Sequence, residues 1–370
     1  MPTELPLRFQ RPTFPDPGAI EQYFKVSRSQ AWYSNGGPCL DEFARRIGQR
    51  AGAAALPLAN ATIALTLAMA ALRRPGLGSV VLLPSFTFPA AAQAAIWNGM
   101  EPVFIDILPG HLHLDPDRLA KALEDLSLGV GLVVAGSSFG TPPPPEVRTA
   151  WERLCHQAGV PLVVDSAAGF PARGADGVPI GAQGDAEVVS FHITKPFGIG
   201  EGGAVFSRDA ELVDRIGTLA NFGYLADRSI TDAHATNAKL DELHAAVGLA
   251  VLDEIDGRIA SRRASACRLL ESIGSAYEPQ LGGERGTHQF VSVLAPTPRE
   301  RQQILERASG RVLLRTYYEP LHRLAAFKAL RIHGDLSVTE AVASRIISLP
   351  MYDEMSDAEL DLISDVVRGS

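Results

Sequence analysis

Short apolar runs alternate with helical segments through the first half of the chain, and this alternation constrains the fold more than any other feature. The runs at residues 80–83, 130–134 and 161–164 contain no polar residue, and segments with helical spacing stand between them. Strands that are apolar on both faces have to be covered on both sides, as in parallel sheets whose crossover helices lie above and below. The sequence therefore predicts an α/β fold with a mostly parallel central sheet between helices.

The order of elements changes after a long helical segment at 240–273, which predicts a second, smaller domain. The 370 residues exceed one average domain, so two are expected. A strand-like segment at 312–318 and a helical segment near 339–347 belong to an α+β arrangement. We expect a large domain at residues 1–252, including a proline-rich, extended N-terminal arm at residues 1–30, and a small α+β domain at 253–370.

Charge and cysteine usage narrow the class of protein. The formal net charge of -8 argues against nucleic acid or an anionic membrane as the main partner. The three cysteines stand far apart and are odd in number, which suits reduced thiols in the cytoplasm better than a disulfide framework. No segment has the apolar length of a membrane span, and no cysteine has a convincing metal-ligand spacing. These features predict a cytoplasmic enzyme without a metal site.

One lysine, Lys195, stands in a glycine-rich bend between two β-prone runs. Gly198, Gly200 and Gly203 in this bend satisfy the spacing G-x-G-x-x-G of a dinucleotide-binding loop. Such a loop is followed by a helix, whereas residues 204–206 continue as a strand, so this interpretation is rejected. Two interpretations remain: a surface lysine in a turn, or a lysine that forms an imine with an aldehyde cofactor. Lys195 alone does not decide between them.

Four short motifs stand in order along the chain. They are Pro84-Ser85-Phe86-Thr87-Phe88, Ser190-Phe191-His192-x-x-Lys195, Gly200-Glu201-Gly202-Gly203 and Leu349-Pro350-x-Tyr352. Together, from about residue 33 to the C-terminus, the chain resembles the DegT/DnrJ/EryC1/StrS family of pyridoxal-phosphate sugar aminotransferases. The resemblance implies the fold type I aminotransferase architecture, a homodimer and pyridoxal 5′-phosphate as cofactor. It also implies a keto-sugar acceptor, usually nucleotide-linked, and glutamate or glutamine as amino donor.

The resemblance assigns the two central roles to Lys195 and Asp165. Lys195 would hold the cofactor as an imine and then move a proton at the substrate carbon, which requires a lowered pKa. Asp165 directly follows the apolar run at 161–164. In the role that the resemblance implies, its carboxylate lies beside the ring nitrogen of the cofactor and keeps that nitrogen protonated. The alternative for Asp165 is a strand-end aspartate that caps a turn.

Further residues are expected to hold the cofactor. Ala61 and Thr62 stand at a helix start, where amides and the threonine hydroxyl can bind the phosphate, and Ser190 projects a hydroxyl from a strand end. By resemblance, Asn237 reaches the phosphate from the second subunit, so that the active sites are shared, and Phe88 covers the cofactor ring. The alternatives are helix capping for Thr62 and Ser190, a loop turn for Asn237 and a core position for Phe88.

Four further residues are predicted to contact the substrate. His192 matches a family position, and His322 lies near where family members meet substrate, but a structural histidine is an equally good interpretation of His192. Lys239 and Arg315 are candidates for a substrate pyrophosphate, although such residues are more often solvated surface charges. One position departs from the family: many members have Gln or His three residues after the aspartate, where this chain has Ala168.

Three other functions compete with transamination of a deoxysugar. The acceptor could be a keto-cyclitol or another ketone without a nucleotide. The reaction could be a dehydration, but dehydratases of the family carry histidine in place of the lysine, and Lys195 counts against this. A sensor on the same fold without catalysis is disfavoured by the presence of both Lys195 and Asp165.

Overall fold

A computed structural model describes residues 5–125, 127, 129–230, 232 and 234–369. The helices are α1 Pro17–Ser29, α2 Pro38–Ala51, α3 Ala61–Leu72, α4 Ala90–Trp97, α5 Pro116–Glu124, α6 Pro145–Ala158, α7 Ala210–Ala220, α8 Glu242–Ile273, α9 Pro298–Ala308, α10 Ser337–Arg345 and α11 Asp357–Arg368. The strands are β1 Ala54–Leu58, β2 Val80–Pro84, β3 Glu101–Ile105, β4 Val130–Gly136, β5 Leu162–Asp165, β6 Ala186–Ser190, β7 Gly203–Ser207, β8 Glu278–Pro279, β9 Val291–Leu294, β10 Arg331–Ile332 and β11 Ile346–Leu349.

Within these residues, the larger sheet has eight strands in the order β1-β7-β6-β5-β4-β2-β3-β10. The pairs from β6 through β3 to β10 are parallel, and only β7 runs against its neighbours. The predicted α/β class and the mostly parallel sheet are therefore confirmed. A parallel order requires each strand to return through a crossover, which contains a helix between β2 and β3, β3 and β4, and β4 and β5, and is an irregular loop between β5 and β6.

Side-chain alternation along β2 explains why helices cover both faces of the sheet. Val81 and Leu83 belong to the core cluster that contains residues of α3 and α4. Val80 and Leu82 belong to the opposite cluster, which contains residues of α5 and α6. Successive side chains of a strand point to opposite faces, so an uninterrupted apolar run fills two cores at once.

The N-terminal arm is extended only up to Asp16, and the prediction that it is extended throughout is wrong. Helix α1 begins after the Asp16 side chain, whose carboxylate accepts a hydrogen bond from the Gly18 amide at 2.7 Å. The proline at its first position is compatible with a helix start. Ile20, Tyr23 and Phe24 then pack on the core cluster that includes α8. The proline-rich composition concealed this helical spacing.

The second body combines α9, α10 and α11 with an antiparallel sheet of β11, β9 and β8. The strand predicted at 312–318 is wrong, because these residues form no ladder and pair only at Val312 and Arg315. The helix predicted near 339–347 is confirmed as α10, but it ends at Arg345 and β11 follows directly. All four residues of β11 are buried. An apolar run this short is compatible with both a strand and a helix, so the sequence pattern does not distinguish the two.

The division into domains at 252 and 253 stays a prediction. Helix α8 runs through this point for 32 residues without a break at Gly257. Contacts also cross the division, because β10 pairs with β3 and Leu7 pairs with Val312.

Across the described residues, no helix combines the length and apolar character needed to cross a membrane.

Candidate active site

Most of the predicted site residues lie at one edge of the large sheet, where the parallel strands have their carboxyl ends. β5 ends at Asp165 and β6 ends at Ser190, and these two strands are neighbours. β1 runs parallel to β6 because both pair antiparallel with β7, so α3 begins at the same edge with Ala61 and Thr62. This edge is where ligands bind in open α/β sheets.

The loop after β6 holds Lys195 by its backbone. The Ile193 amide donates to the Gly200 carbonyl at 2.7 Å, and the Lys195 amide donates to the His192 carbonyl at 2.8 Å. Gly198 passes so close to this turn that a Cβ at residue 198 would lie 2.7 Å from the Ile193 oxygen. Residue 198 therefore has to be glycine because two backbone segments approach each other closely, and this packing explains the glycine without a dinucleotide-binding loop.

Lys195 and Asp165 influence each other's ionisation. Burial lowers the pKa of Lys195 to about 8, and the charge of Asp165 acts against this shift. Burial raises the pKa of Asp165, while the Ala167 amide and the charge of Lys195 act to lower it. The Ala167 amide donates to Asp165 Oδ1 at 3.1 Å and fixes the carboxylate at the strand end. A lysine with a pKa near 8 is partly neutral at neutral pH, as a nucleophile or base requires.

A glycine brings Ser190 beside the N-terminus of α3. Ser190 pairs with Gly203 in the ladder between β6 and β7. A Cβ on Gly203 would lie 2.5 Å from the Ala61 nitrogen, so β7 can lie against the start of α3 only because residue 203 has no side chain.

The donors at this junction are suited to an anion. The N-cap Asn60 accepts from the Ile63 amide at 2.9 Å, and the first amides of α3, those of Ala61 and Thr62, have no acceptor within the helix. Ser190 Oγ accepts from the His192 amide at 3.2 Å, which leaves its own hydrogen to donate. Amides and hydroxyls at a helix N-terminus form a binding site for a phosphate.

An aromatic group faces the same edge from the segment after β2. Phe86 is 1% exposed and belongs to the core, whereas Phe88 is 57% exposed. The ring centroid of Phe88 lies 6.3 Å from that of Tyr318, which stacks on Phe139 at 5.2 Å. Burial and the neighbouring charge of Asp165 raise the pKa of Tyr318. Tyr318 therefore belongs to the surroundings of Asp165, although its sequence context did not identify it.

Two side chains reach the site from the loop before β9 and were also missed. Thr287 Oγ1 donates to the Ala168 carbonyl at 2.6 Å, and Lys195 Nζ donates to Gln289 Oε1 at 3.2 Å. These contacts span 119 and 94 residues, so no local spacing could have revealed them. The apolar side chain of Ala168 is buried, and a donor from this position to the cofactor is absent.

A buried hydrogen-bond network lies behind Asp165. Ser137 Oγ lies 2.8 Å from Ser166 Oγ, and Ser166 also donates to Glu187. Burial raises the pKa of Glu187 to about 7, and backbone amides, including that of Gly181 at 2.6 Å, donate to its carboxylate. The network ties the ends of β4 and β5 to β6 and so fixes the strand end that carries Asp165.

The two predicted histidines bond to other protein groups. His322 Nδ1 lies 2.7 Å from Ser85 Oγ, and its Nε2 lies 2.6 Å from Glu340 Oε1. His192 Nδ1 lies 2.7 Å from the hydroxyl of Thr194. Both ring nitrogens of His322 are thus bonded to groups of the same chain. Through Ser85, the ring also holds the segment 84–88, which carries Phe88. Substrate contacts of either histidine stay predictions.

Asn237, Lys239 and Arg315 make their contacts with other residues, and none of them bonds to Lys195 within the described part of the chain. Asn237 is exposed and pairs by its backbone with Asn221, and Lys239 Nζ donates to Asn221 Oδ1 at 2.9 Å. The Arg315 guanidinium lies 5.9 Å from the ring centroid of Phe9. Their roles toward phosphate groups stay predictions.

The sequence over residues 18–368 matches the profile of the DegT/DnrJ/EryC1/StrS aminotransferase family. The chain is also 32% identical over 311 residues to the dTDP-4-dehydro-2,3,6-trideoxy-D-glucose 4-aminotransferase of Saccharopolyspora spinosa, with 78% of this chain and 77% of that protein covered.

Two crystal structures share the fold over nearly the whole length. One is a protein of Bacillus cereus assigned as a PLP-dependent aminotransferase, with a TM-score of 0.89, 31% identity and coverage of 99% of this chain and 100% of that one. The other is DesI in the presence of its TDP-sugar product, with a TM-score of 0.88, 33% identity and coverage of 99% and 93%.

Proposed function

Because the chain belongs to the DegT/DnrJ/EryC1/StrS aminotransferase family, we propose that it moves an amino group from glutamate or glutamine to a keto carbon of a nucleotide-linked deoxysugar. The observation that carries the proposal is the convergence of Lys195, Asp165 and the N-terminus of α3 at the carboxyl edge of the sheet. The reaction needs a nucleophilic amine, a carboxylate that retains its charge and a site for a phosphate dianion.

The cofactor is pyridoxal 5′-phosphate, which draws electrons from the substrate carbon into its ring and so makes the proton on that carbon acidic. The residues present fit this group. The Ala61 and Thr62 amides and the hydroxyls of Thr62 and Ser190 would hold the phosphate, and the missing side chain at Gly203 lets these donors meet. The exposed ring of Phe88 would cover one face of the cofactor and exclude water.

Asp165 and Lys195 would carry the chemistry. The Asp165 carboxylate would accept a hydrogen bond from the protonated ring nitrogen and hold that proton in place. The Lys195 amine would bind the cofactor aldehyde covalently, leave when the substrate amine arrives and then move a proton at the substrate carbon. Both roles use a half-buried pair whose members shift each other's pKa.

The nucleotide-linked acceptor is supported by two proteins that the chain resembles over most of its length, a dTDP-sugar 4-aminotransferase and DesI, whose product is a TDP-sugar. We expect glutamate to bleach the visible absorbance band of the cofactor-loaded protein, and a nucleotide-linked keto-deoxysugar to restore it. The measurement is a panel of nucleotide-linked keto-sugars and keto-cyclitols, with amino product detected by mass spectrometry. Turnover of keto-cyclitols alone would overturn the nucleotide-sugar assignment. A band that no amino donor bleaches would favour a sensor.

We further propose a homodimer with shared active sites. Phe222, Tyr224 and Ile230 precede Asn237 in one loop, and their side chains are 47%, 46% and 58% exposed. Apolar side chains clustered on one loop are expected where a second protein surface covers them. Covering them with a second copy would carry Asn237 toward the phosphate site of that copy.

Mixed dimers test this arrangement. Asn237→Ala alone is expected to weaken cofactor retention, and Lys195→Ala alone to be inactive. In a dimer of one Lys195→Ala chain and one Asn237→Ala chain, a shared site would combine the intact Lys195 of one chain with the intact Asn237 of the other. Chains mixed in equal amounts should then recover about a quarter of wild-type activity, since half of randomly formed dimers are mixed and each has one intact site. Activity no higher than the average of the two separate variants would contradict shared sites.

A cytoplasmic location is also proposed. Cys39, Cys155 and Cys267 are all free thiols, and Cys267 is exposed. An exposed free thiol is typical of a reducing compartment.

A further inference from the structure

Gln289 is a buried amide whose oxygen accepts a hydrogen bond from the amine of Lys195. The Nζ to Oε1 distance is 3.2 Å, and the Gln289 side chain is 6% exposed. The contact joins the loop before β9 to the loop after β6, so the residue comes from the second body of the protein. No other residue in that loop bonds to the lysine side chain among those the structure describes.

The second hydrogen bond of Gln289 fixes the orientation of its amide. Nε2 donates to the Thr194 carbonyl at 3.2 Å, and a carbonyl can only accept. The amide nitrogen therefore has to face Thr194, and the oxygen has to face Lys195. The same Thr194 carbonyl also accepts from Nε2 of Gln10, at 3.2 Å. Gln10 shares this acceptor without bonding to the lysine amine.

We propose that Gln289 positions the reacting amine of Lys195 whenever that amine is not bound to cofactor. This inference rests on the proposed role of Lys195. The amide oxygen stays neutral across the working pH range and accepts one N–H, so it can hold the amine both before and after the amine takes up a proton. A lysine side chain has four rotatable bonds, and one fixed acceptor at its end selects a single position from many.

The inference predicts opposite shifts from two substitutions at one site. Gln289→Leu removes the acceptor from the ammonium form, so the pKa of Lys195 should fall by about one pH unit from its wild-type value. Gln289→Glu keeps the shape and adds a negative charge, so the pKa should rise. Gln10→Leu is the matched control, because it removes a bond to the same carbonyl and leaves the lysine contact intact.

The measurement is competitive acetylation of the full-length protein without cofactor, read by mass spectrometry of the lysine peptides across a pH series. The chain has only five lysines, so the four others serve as internal references in the same sample. Lys195 of the wild type should reach half of its maximal reactivity near pH 8. The midpoint should move down in Gln289→Leu, up in Gln289→Glu and remain in place in Gln10→Leu.

The outcomes separate this inference from the proposed function. An unchanged midpoint in both Gln289 variants, or an equal shift in Gln10→Leu, would overturn the positioning role. The same would follow if both Gln289 variants moved the midpoint in one direction, as general damage to the site would do. The proposed function is tested by a different experiment, the borohydride trapping of cofactor on Lys195. Absence of a trapped adduct would contradict the proposed function, whatever the acetylation midpoints are.

Discussion

Lys195→Ala should abolish covalent attachment of pyridoxal 5′-phosphate and reduce turnover by about 10³-fold or more, because the variant loses both the nucleophile and the proton-transferring base. Noncovalent binding should persist, since the phosphate donors at Ala61, Thr62 and Ser190 belong to other elements. The measurement is borohydride reduction of the loaded protein, followed by mass spectrometry of the peptide that contains residue 195.

The control for this experiment is Lys328→Ala, which removes an exposed lysine from the segment before β10. Its trapped adduct should equal that of the wild type. An undiminished adduct in Lys195→Ala would show that another amine binds the cofactor, and the assignment would then be wrong.

Asp165→Asn should leave the cofactor bound and slow turnover by roughly 10²- to 10³-fold, because a neutral amide no longer stabilises the protonated ring nitrogen. The substitution retains an oxygen that can accept from the Ala167 amide, so the strand end should keep its shape. Cofactor content and turnover number, measured on the same preparation, separate the two effects.

A second readout ties this result to charge. The charge of Asp165 raises the pKa of Lys195, so Asp165→Asn should move the acetylation midpoint of Lys195 below pH 8. Asp176→Asn is the control, because Asp176 pairs with Arg148 of α6 and is not among the groups that shift the pKa of Lys195. Near-normal turnover together with an unmoved midpoint would remove Asp165 from the mechanism.

Local patterns predicted much of the fold because each depends on residues close in sequence. The apolar runs that became β2, β4 and β5 are buried on both faces, and a capping box formed by Ser356 and Glu359, within one local segment of four positions, starts α11. Such signals weaken where an element is short or its composition is mixed. β11 resembled the end of a helix, and the prolines near α1 obscured its spacing.

Sequence alone determined the alternation of strands and helices, and with it the edge at which Asp165, Ser190 and the start of α3 would meet, because strand direction and side-chain alternation follow from local chemistry. Only the tertiary structure decided which distant groups touch these residues. Gln289 reaches Lys195 across 94 positions, and Gly203 lies against Ala61. The first contact depends on how the loop before β9 packs against the loop after β6, and the second on how β7 packs against the start of α3. The spacing of residues along the chain does not encode this packing.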